Sequence, residues 1–287
     1  MPRKPVPAPA RNERRASTSV GHVVATSAAV VLAVVMLVPF LWMLGTSLMG
    51  EFEVFRYPPP LWPATPRWQN YPEALTALPF GRFFLNSATL ALFTVVGQVS
   101  TGAAAGYAFA RFRFAGRSAL FAGYLAALMV PAIVLLIPRF LIIDALGGVD
   151  TVAGLVSTEL VSAWSVFMMR QFFLSLPREM EDAARIDGAG EWAVFWHIAI
   201  PLARPALATL ALFSFIDAWK NFLWPLVVTR SMDQRVVEVG IASFHGLYYA
   251  NWPYQMAAAV VALIPIIVVF GFTQRYFTRG IQLTGFR

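Results

Sequence analysis

Long apolar stretches follow one another along this chain of 287 residues. Six of them come close to, or exceed, the roughly 20 residues that a helix needs to cross a bilayer. They cover residues 22–48, 83–110, 118–143, 151–169, 205–228 and 253–277. Lipid offers the backbone no hydrogen-bond partners, so each stretch is predicted to be a helix. The pattern therefore predicts an all-α integral membrane protein with six transmembrane helices.

Prolines and small residues modify these predicted helices. A proline inside a helix removes one backbone donor and predicts a kink. The prolines within the predicted spans are Pro39, Pro131, Pro138, Pro225 and Pro265. In the second span, three alanines separate Gly102 from Gly106, a small-residue pattern that lets two helices approach closely. We expect that pattern to serve packing within the chain rather than dimerisation.

Composition supports a membrane location and excludes several other classes of protein. Hydrophobic residues make up 58% of the chain and charged residues only 13%, too few to cover the surface of a soluble domain. There is no cysteine, which excludes disulfides and thiolate metal sites. The formal net charge is +7, but the basic residues lie beside apolar segments instead of forming one patch. We therefore expect lipid as a partner and no nucleic acid.

Basic residues are distributed unevenly between the predicted connections. The N-terminal tail carries five, residues 111–117 three, residues 170–204 four and the C-terminus three, against five in the alternate connections. Positive charge marks the cytoplasmic side, so both termini are predicted to be cytoplasmic. Residues 1–21 are predicted to be a disordered cytoplasmic tail, because they contain few apolar residues. Residues 22–287 are predicted to form one transmembrane domain with its core at about 82–278.

The predicted outer loop, residues 49–81, is rich in proline and aromatic residues. Such a composition suits a surface that docks another protein. It also suits a simple interfacial connection between two spans. The sequence leaves both interpretations open.

The connection at residues 178–201 carries the most informative pattern of the sequence. An acidic residue and two alanines are followed after three residues by glycine, and after nine more by Ile-x-x-Pro. The matching residues are Asp182, Ala183, Ala184, Gly188, Ile198 and Pro201. A short helix after Pro177 would place the two alanines and Asp187 near one side with little bulk, so a partner could approach closely. Gly188 would then turn the chain, and Trp192, Phe195 and Trp196 would form an apolar ridge.

This segment resembles the EAA loop of bacterial ABC importer permeases, and we term residues 178–201 the EAA-like loop. It departs from the family pattern at Asp182, where glutamate is usual, and at Ile200, where leucine is usual. Other fragments, at residues 84–87, 107–111, 114–117, 170–173 and 219–226, are similar to carbohydrate importer permeases related to the maltose-system permease MalG. An amphipathic connector lying in the membrane interface is the alternative interpretation of the loop.

The resemblance implies a type I ABC importer permease fold in the bacterial plasma (inner) membrane, and transport of a carbohydrate. It implies a heterodimer with a second homologous permease, two cytoplasmic ATPase subunits and an extracytoplasmic substrate-binding protein. It also implies that the loop couples transport to the ATPases. The coupling residues would be Glu181, Asp182, Ala183, Ala184, Asp187, Gly188, Ile198 and Pro201. The C-terminal segment, which includes Leu283, resembles a family segment that reaches between the ATPase subunits.

The chain itself is not expected to be an enzyme. It lacks a Gly-x-x-x-x-Gly-Lys-[Ser/Thr] loop, and its only lysines are Lys4 and Lys220. ATP and magnesium therefore belong to the partner subunits, and no cofactor is expected here. The three histidines, His22, His197 and His245, are dispersed and predict no metal site. No internal repeat supports the alternative of an ion-coupled secondary transporter.

Charged and polar residues within the predicted spans are candidates for the substrate path. A charge at mid-bilayer costs on the order of 3 kcal/mol, so such residues usually face a cavity or one another. The candidates are Arg139, Glu159, Asp217, Lys220 and Asn221. Asp217 and Lys220 are three residues apart and could pair on one helix. Related permeases commonly have asparagine in place of Lys220 and a small or apolar residue in place of Glu159. A structural ion pair without substrate contact is the alternative, and glycerol phosphates remain alternative solutes.

Overall fold

The computed structural model describes residues 13–246 and 250–284, with side chains for residues 21–246 and 250–274. Apart from one isolated bridge between His245 and Ala250, its regular secondary structure is helical. The α-helices are α1 (Glu13–Ser47), α2 (Asn70–Ala77), α3 (Phe80–Arg111), α4 (Arg117–Leu128), α5 (Leu136–Ala145), α6 (Val152–Ser157), α7 (Ala163–Ser175), α8 (Glu179–Ile186), α9 (Glu191–Val194), α10 (Ile200–Leu202), α11 (Arg204–Trp219), α12 (Leu223–Val228), α13 (Val237–Ala242) and α14 (Trp252–Thr284). The predicted all-α class is confirmed.

Helix length varies more than the apolar pattern predicts. Within the described residues, three segments are long and apolar enough to cross a membrane: Gly21–Ser47, Phe80–Arg111 and Trp252–Gln274. A fourth candidate is a bent pair, Glu191–Leu202 followed by Arg204–Trp219, whose axes differ by 74°. The predicted spans at residues 118–143, 151–169 and 205–228 are not continuous helices. Each is divided in two: α4 with α5, α6 with α7, and α11 with α12.

The prolines account for part of this irregularity. Pro131 lies in the break between α4 and α5, where a residue without an amide donor cannot continue the helix. Pro138 and Pro225 each occupy the third position of a short helix. A backbone amide at this position has no acceptor within the helix, so its absence in proline costs no helical hydrogen bond. Pro39 and Pro265 lie inside the continuous helices α1 and α14. Proline therefore divides one predicted span and begins two short helices.

Helix α3 is the centre of the bundle and packs against α7 and α11. A Cβ atom on Gly102 would lie 3.0 Å from Cβ of Ser165, and one on Gly106 would lie 2.7 Å from Cβ of Met169. Only glycine allows α3 and α7 to approach this closely. The expected use of the small-residue pattern for packing within the chain is confirmed.

The two ends of the chain differ from their sequence-based description. Helix α1 begins at Glu13, earlier than the predicted residue 22, and the side chains of residues 21–42 are exposed. Residues 1–12 of the predicted tail lie outside the described residues. Helix α14 continues to Thr284, but the side chain of Leu283 and residues 285–287 also lie outside the described part.

The predicted outer loop, residues 49–81, is anchored as well as exposed. The buried Asn70 at the start of α2 donates to the carbonyl groups of Ser47 and Met49, each at 2.8 Å. Tyr71 is hydrogen-bonded to the hydroxyl of Ser47 at 2.8 Å. These contacts fix α2 against the end of α1. Several aromatic side chains of the loop nevertheless face outward: Phe52, Phe55, Tyr57, Trp62 and Trp68.

Candidate functional site

The EAA-like loop folds as two helical segments, α8 and the run from α9 to α10, joined by a turn at Gly188. Helix α8 ends at Ile186, and Gly188, two residues further on, has a φ of +89° in the left-handed region. The amide of Gly188 donates to the carbonyl of Arg185 at 3.1 Å, and the amide of Ala189 donates to that of Ala184 at 2.9 Å. The chain then runs through α9, a π-helical segment (Phe195–Ala199) and α10 before it turns by 74° into α11. The glycine turn predicted from the sequence is present.

Exposure divides the predicted coupling residues into three groups. Asp182, Ala183, Asp187 and Gly188 are exposed, Ala184, Ile198 and Pro201 are half-buried, and Glu181 is buried. Large apolar side chains are exposed beside them: Met180, Ile186, Trp192 and Trp196. Exposed apolar groups concentrated on one segment are typical of a surface that contacts another protein or a membrane.

The predicted apolar ridge is wrong at one of its three residues. Trp192 and Trp196 are exposed, but Phe195 is buried and its ring centre lies 5.1 Å from that of Tyr107 in α3. Phe195 therefore holds the loop against the bundle. The reason is that residues 191–199 are helical without a break, so that one face of this segment is turned toward the bundle.

Glu181 faces inward, unlike the exposed residues with which the sequence groups it. The Nε atom of Arg111 donates to its Oε1 at 2.8 Å, and the two side chains are only 3% and 2% exposed. The Oε2 atom of Glu181 also pairs with Arg185 at 3.6 Å, and further ion pairs of Arg185 stabilise the turn. Arg185 donates to Glu191 at 2.8 and 3.1 Å and to Asp182 at 2.8 Å, and the hydrogen bond to Glu191 raises the pKa of Arg185.

The five candidates for the substrate path line one cavity of about 600 Å³, which we term the polar cavity. They come from α5, from the turn after α6 and from the end of α11. These residues are Arg139, Glu159, Asp217, Lys220 and Asn221. The rest of the lining is apolar or aromatic: Ala132, Ile133, Leu136, Phe213, Ile216, Phe222, Leu223 and Trp224.

The ion pair in this cavity differs from the pair that the sequence predicts. Arg139 pairs with Glu159 and also donates to the hydroxyl of Thr158. Asp217 and Lys220 do not pair, and neither side chain has a hydrogen bond or ion pair with another described residue. The amide of Lys220 still donates to the carbonyl of Ile216 at 3.0 Å, but Asp217 and Lys220 each line the polar cavity instead of contacting one another.

Gln98 is a functional candidate that the sequence-based reasoning missed. This buried α3 residue donates from Nε2 to the carbonyl of Glu159 at 3.0 Å and accepts from the hydroxyl of Ser214 at 2.8 Å. It also lines a second cavity of about 300 Å³ that shares Asp217 and Phe213 with the polar cavity. An amide in the middle of an apolar span is the signal that could have identified it.

No group of three or more histidine, cysteine, aspartate or glutamate side chains that could hold a metal ion occurs in the part of the chain that the structure describes. The polar cavity is lined by charged, amide and aromatic groups. These groups can form hydrogen bonds and ion pairs with a solute and can contact its apolar faces.

Comparisons with known proteins agree with this arrangement. Residues 98–283 match the family described as binding-protein-dependent transport system inner membrane component. The diacetylchitobiose uptake system permease protein NgcG of Streptomyces coelicolor is 32% identical over 262 residues, which cover 89% of this chain and 85% of that protein. The arabinooligosaccharides transport system permease protein AraQ of Bacillus subtilis is 35% identical over 204 residues, covering 71% and 73%.

A third relative and a solved structure extend the match over nearly the whole chain. The sn-glycerol-3-phosphate transport system permease protein UgpE of Rhizobium meliloti is 32% identical over 281 residues, covering 95% of this chain and 98% of that protein. The structure is of a bacterial ABC transporter involved in the import of the acidic polysaccharide alginate. Its matching chain superposes with a TM-score of 0.77 at 24% identity, covering 95% of this chain and all of that one. This chain therefore belongs to the binding-protein-dependent family of inner membrane transport components, the multi-pass permease subunits of bacterial ABC importers.

Proposed function

We propose that this chain carries a carbohydrate into the cell through its polar cavity, driven by ATP hydrolysis on partner subunits. The observation that carries the proposal is the convergence of five polar residues from three separate elements on one cavity. Polar groups within an apolar bundle are costly unless they face a cavity or one another. Their arrangement around a common space supports a path for a polar solute.

The lining of the cavity suits a sugar. A sugar presents hydroxyl groups that donate and accept hydrogen bonds, and apolar faces that pack on aromatic rings. Asp217, Lys220 and Asn221 offer an acceptor, a donor and an amide that are not engaged by other side chains. Phe213 and Phe222 offer the aromatic faces. The names of NgcG and AraQ, which refer to oligosaccharides, support the same class of solute.

A glycerol phosphate is a second candidate, favoured by one specific feature. The ammonium group of Lys220 lines the cavity without an ion-pair partner among the described residues, and could bind a phosphate. The relative UgpE is named for sn-glycerol-3-phosphate. Asp217 on the same wall opposes an anion, which is why we place the neutral sugar first.

The EAA-like loop is proposed to transmit the action of two ATPase subunits that hold ATP and magnesium. Its exposed apolar side chains and the exposed residues near Gly188 support binding to such a partner. The half-buried Ala184, Ile198 and Pro201 would support that surface from within. The exposed apolar length of α1 is consistent with a second, non-identical permease and with lipid around it.

The topology that accompanies this proposal has six spans and two cytoplasmic termini. In this topology α4 with α5, and α6 with α7, each form one interrupted span. Interrupted helices are tolerated at membrane depth where they line a cavity, and both interruptions lie beside the polar cavity. The anchored outer loop, with its exposed aromatic residues, would then face the extracytoplasmic binding protein.

The test compares solute affinity between variants of the assembled complex. Glu159→Gln and Lys220→Asn each remove one charge from the cavity wall, whereas Asp233→Asn removes an exposed carboxylate elsewhere. We expect the first two variants to change the apparent affinity or selectivity for labelled oligosaccharides and for glycerol 3-phosphate, while the complex assembles. Unchanged kinetics for both solutes in both variants, or loss of assembly in both, would reject the cavity as the substrate path.

A further inference from the structure

Arg111 joins the EAA-like loop to the end of α3. It is the last residue of that helix, and its Nε donates to Glu181 in the first turn of α8 at 2.8 Å. Its Nη2 donates to the carbonyl of Leu176, just before α8 begins, at 3.1 Å. One side chain thus holds both the start of α8 and the chain that leads into it.

The burial of this ion pair indicates a role beyond stability. Both side chains are almost completely removed from water, so neither charge is stabilised by solvation. A buried ion pair gives little net stability over an apolar pair, but removal of Glu181 leaves the buried charge of Arg111 uncompensated, and removal of Arg111 leaves Glu181 with only the longer pair to Arg185, at 3.6 Å. Such a pair fixes one specific arrangement of α8 against α3.

The same helix bonds to the wall of the polar cavity. Gln98 lies 13 positions before Arg111 in α3, a separation of about 20 Å along a helix. Its amide holds the carbonyl of Glu159 at 3.0 Å and the hydroxyl of Ser214 at 2.8 Å. Between Gln98 and Arg111 in α3, Gly102 and Gly106 pack directly on α7. Helix α3 is therefore bonded to the loop at one end and to the cavity wall further along.

We propose that Arg111 is a positioning residue that makes α3 the connection between the EAA-like loop and the polar cavity. A displacement of α8 moves α3 through the Arg111–Glu181 pair, and α3 moves the turn at Glu159 through Gln98. This inference rests on the proposed function, in which residues 178–201 transmit the action of the ATPases. It adds the residues by which that action reaches the solute.

The test measures the number of sugar molecules imported per ATP hydrolysed. In the reconstituted complex, Glu181→Gln and Arg111→Gln are expected to lower this ratio by about fivefold or more, the usual range of coupling between sites. Gln98→Leu should lower it while the ion pair stays intact. Arg111→Lys, which keeps a positive charge beside the Glu181 carboxylate, should retain part of the ratio that Arg111→Gln loses. Arg113→Gln, an exposed arginine two residues further along, serves as the control.

A purely structural role would reduce import and ATP hydrolysis together and leave the ratio unchanged, which would overturn the proposal. If the unaltered complex imports nothing on addition of ATP, the proposed function has failed instead. A second measurement applies if the single variants do not assemble. The chain has no cysteine, so spin labels can be placed at Glu179→Cys in α8 and Ser100→Cys in α3. A distance that stays constant between the ATP-free and ATP-bound complexes supports the connection, and a distance that changes overturns it.

Discussion

The guanidinium group of Arg139 lies 4.5 Å from the centre of the Trp224 ring, so α5 and α12 meet at the wall of the polar cavity. The same group pairs with Glu159, and the indole of Trp224 donates to the carbonyl of Leu155 at 3.1 Å. A planar guanidinium can stack on a ring and donate in its own plane at the same time. This relationship connects three elements of the cavity wall.

Arg139→Lys is predicted to weaken this wall although it keeps the charge. A lysine ammonium cannot stack on Trp224 while it also donates to both Thr158 and Glu159. We expect a loss of about 1.5–3 kcal/mol of stability, the range for hydrogen bonds to charged groups. Thermal unfolding in detergent measures it, with Arg230→Lys, an exposed position, as the control. Equal stability of the two variants would contradict the bridging role of Arg139.

Substitutions of Gly188 separate backbone strain from the surface role of the turn. A Cβ atom at this position would meet no neighbour within 4 Å, so alanine suffers only from the left-handed backbone, at about 1–2 kcal/mol. Gly190, at φ −72° and equally open, serves as the control for Gly→Ala. Thermal unfolding should separate the two alanine variants, and equal unfolding temperatures would contradict the strain argument.

Gly188→Arg tests the surface itself. The isolated chain has room for the side chain, but a bulky charge on the exposed turn should prevent productive binding to the ATPases. We expect import to fail while the protein is made in normal amounts. Wild-type import by this variant, with the ATPases still bound, would show that the turn has no coupling role.

Gly106→Ala is predicted to separate α3 from α7. The new Cβ would lie 2.7 Å from Cβ of Met169 and 2.8 Å from the amide nitrogen of Arg170, distances that require the backbone to move. Overpacking of this kind costs about 1–3 kcal/mol. Gly123→Ala in α4 meets no neighbour within 4 Å and should instead gain up to about 1 kcal/mol from helix propensity. Opposite shifts in unfolding temperature are expected, and shifts of the same sign would contradict the close packing.

Asp150 predicts a pH-dependent contribution to stability. Its Oδ1 accepts from the backbone amides of Ser231 and Arg230 at 2.9 and 2.8 Å, and these bonds lower the pKa of the carboxyl group. A lowered folded-state pKa gives stability that is present at neutral pH and is lost as the pH falls through that pKa.

The matched variant for this prediction is Asp150→Asn. Asparagine tolerates the positive φ of 61° and keeps an oxygen acceptor, but it cannot titrate. The difference in unfolding temperature between the two proteins should be constant near neutral pH and shrink below about pH 4. A difference that does not depend on pH would contradict the lowered pKa.

The sequence predicts the parts of this structure that depend on local pattern. The apolar lengths of α1, α3 and α14, the glycine turn at Gly188 and the close packing at Gly102 all follow from residue type and spacing. The five cavity residues could be selected because charged and polar groups are costly inside a span. These signals need no knowledge of which helices are neighbours.

Features that depend on long-range packing could not be predicted from spacing alone. Glu181 pairs with Arg111, which lies 70 residues earlier, and this partner turns a residue of the EAA-like loop inward. Arg139 pairs with Glu159 from the turn after α6, and Asp217 and Lys220 line the polar cavity instead of pairing with each other. The break between α6 and α7 has the same origin, since Glu159 in that break lines the cavity that the bundle forms, whereas Pro131 marks the break between α4 and α5 in the sequence itself.

The most direct test of the central claim is solute uptake into vesicles that contain the complete complex. The chain is reconstituted with its companion permease and the ATPases, the binding protein is added outside, and ionophores collapse all ion gradients. The account predicts that labelled oligosaccharide accumulates only when ATP is supplied on the ATPase side, and that accumulation stops when the ATPase subunits are left out. Uptake without ATP, driven by an imposed ion gradient, would contradict it.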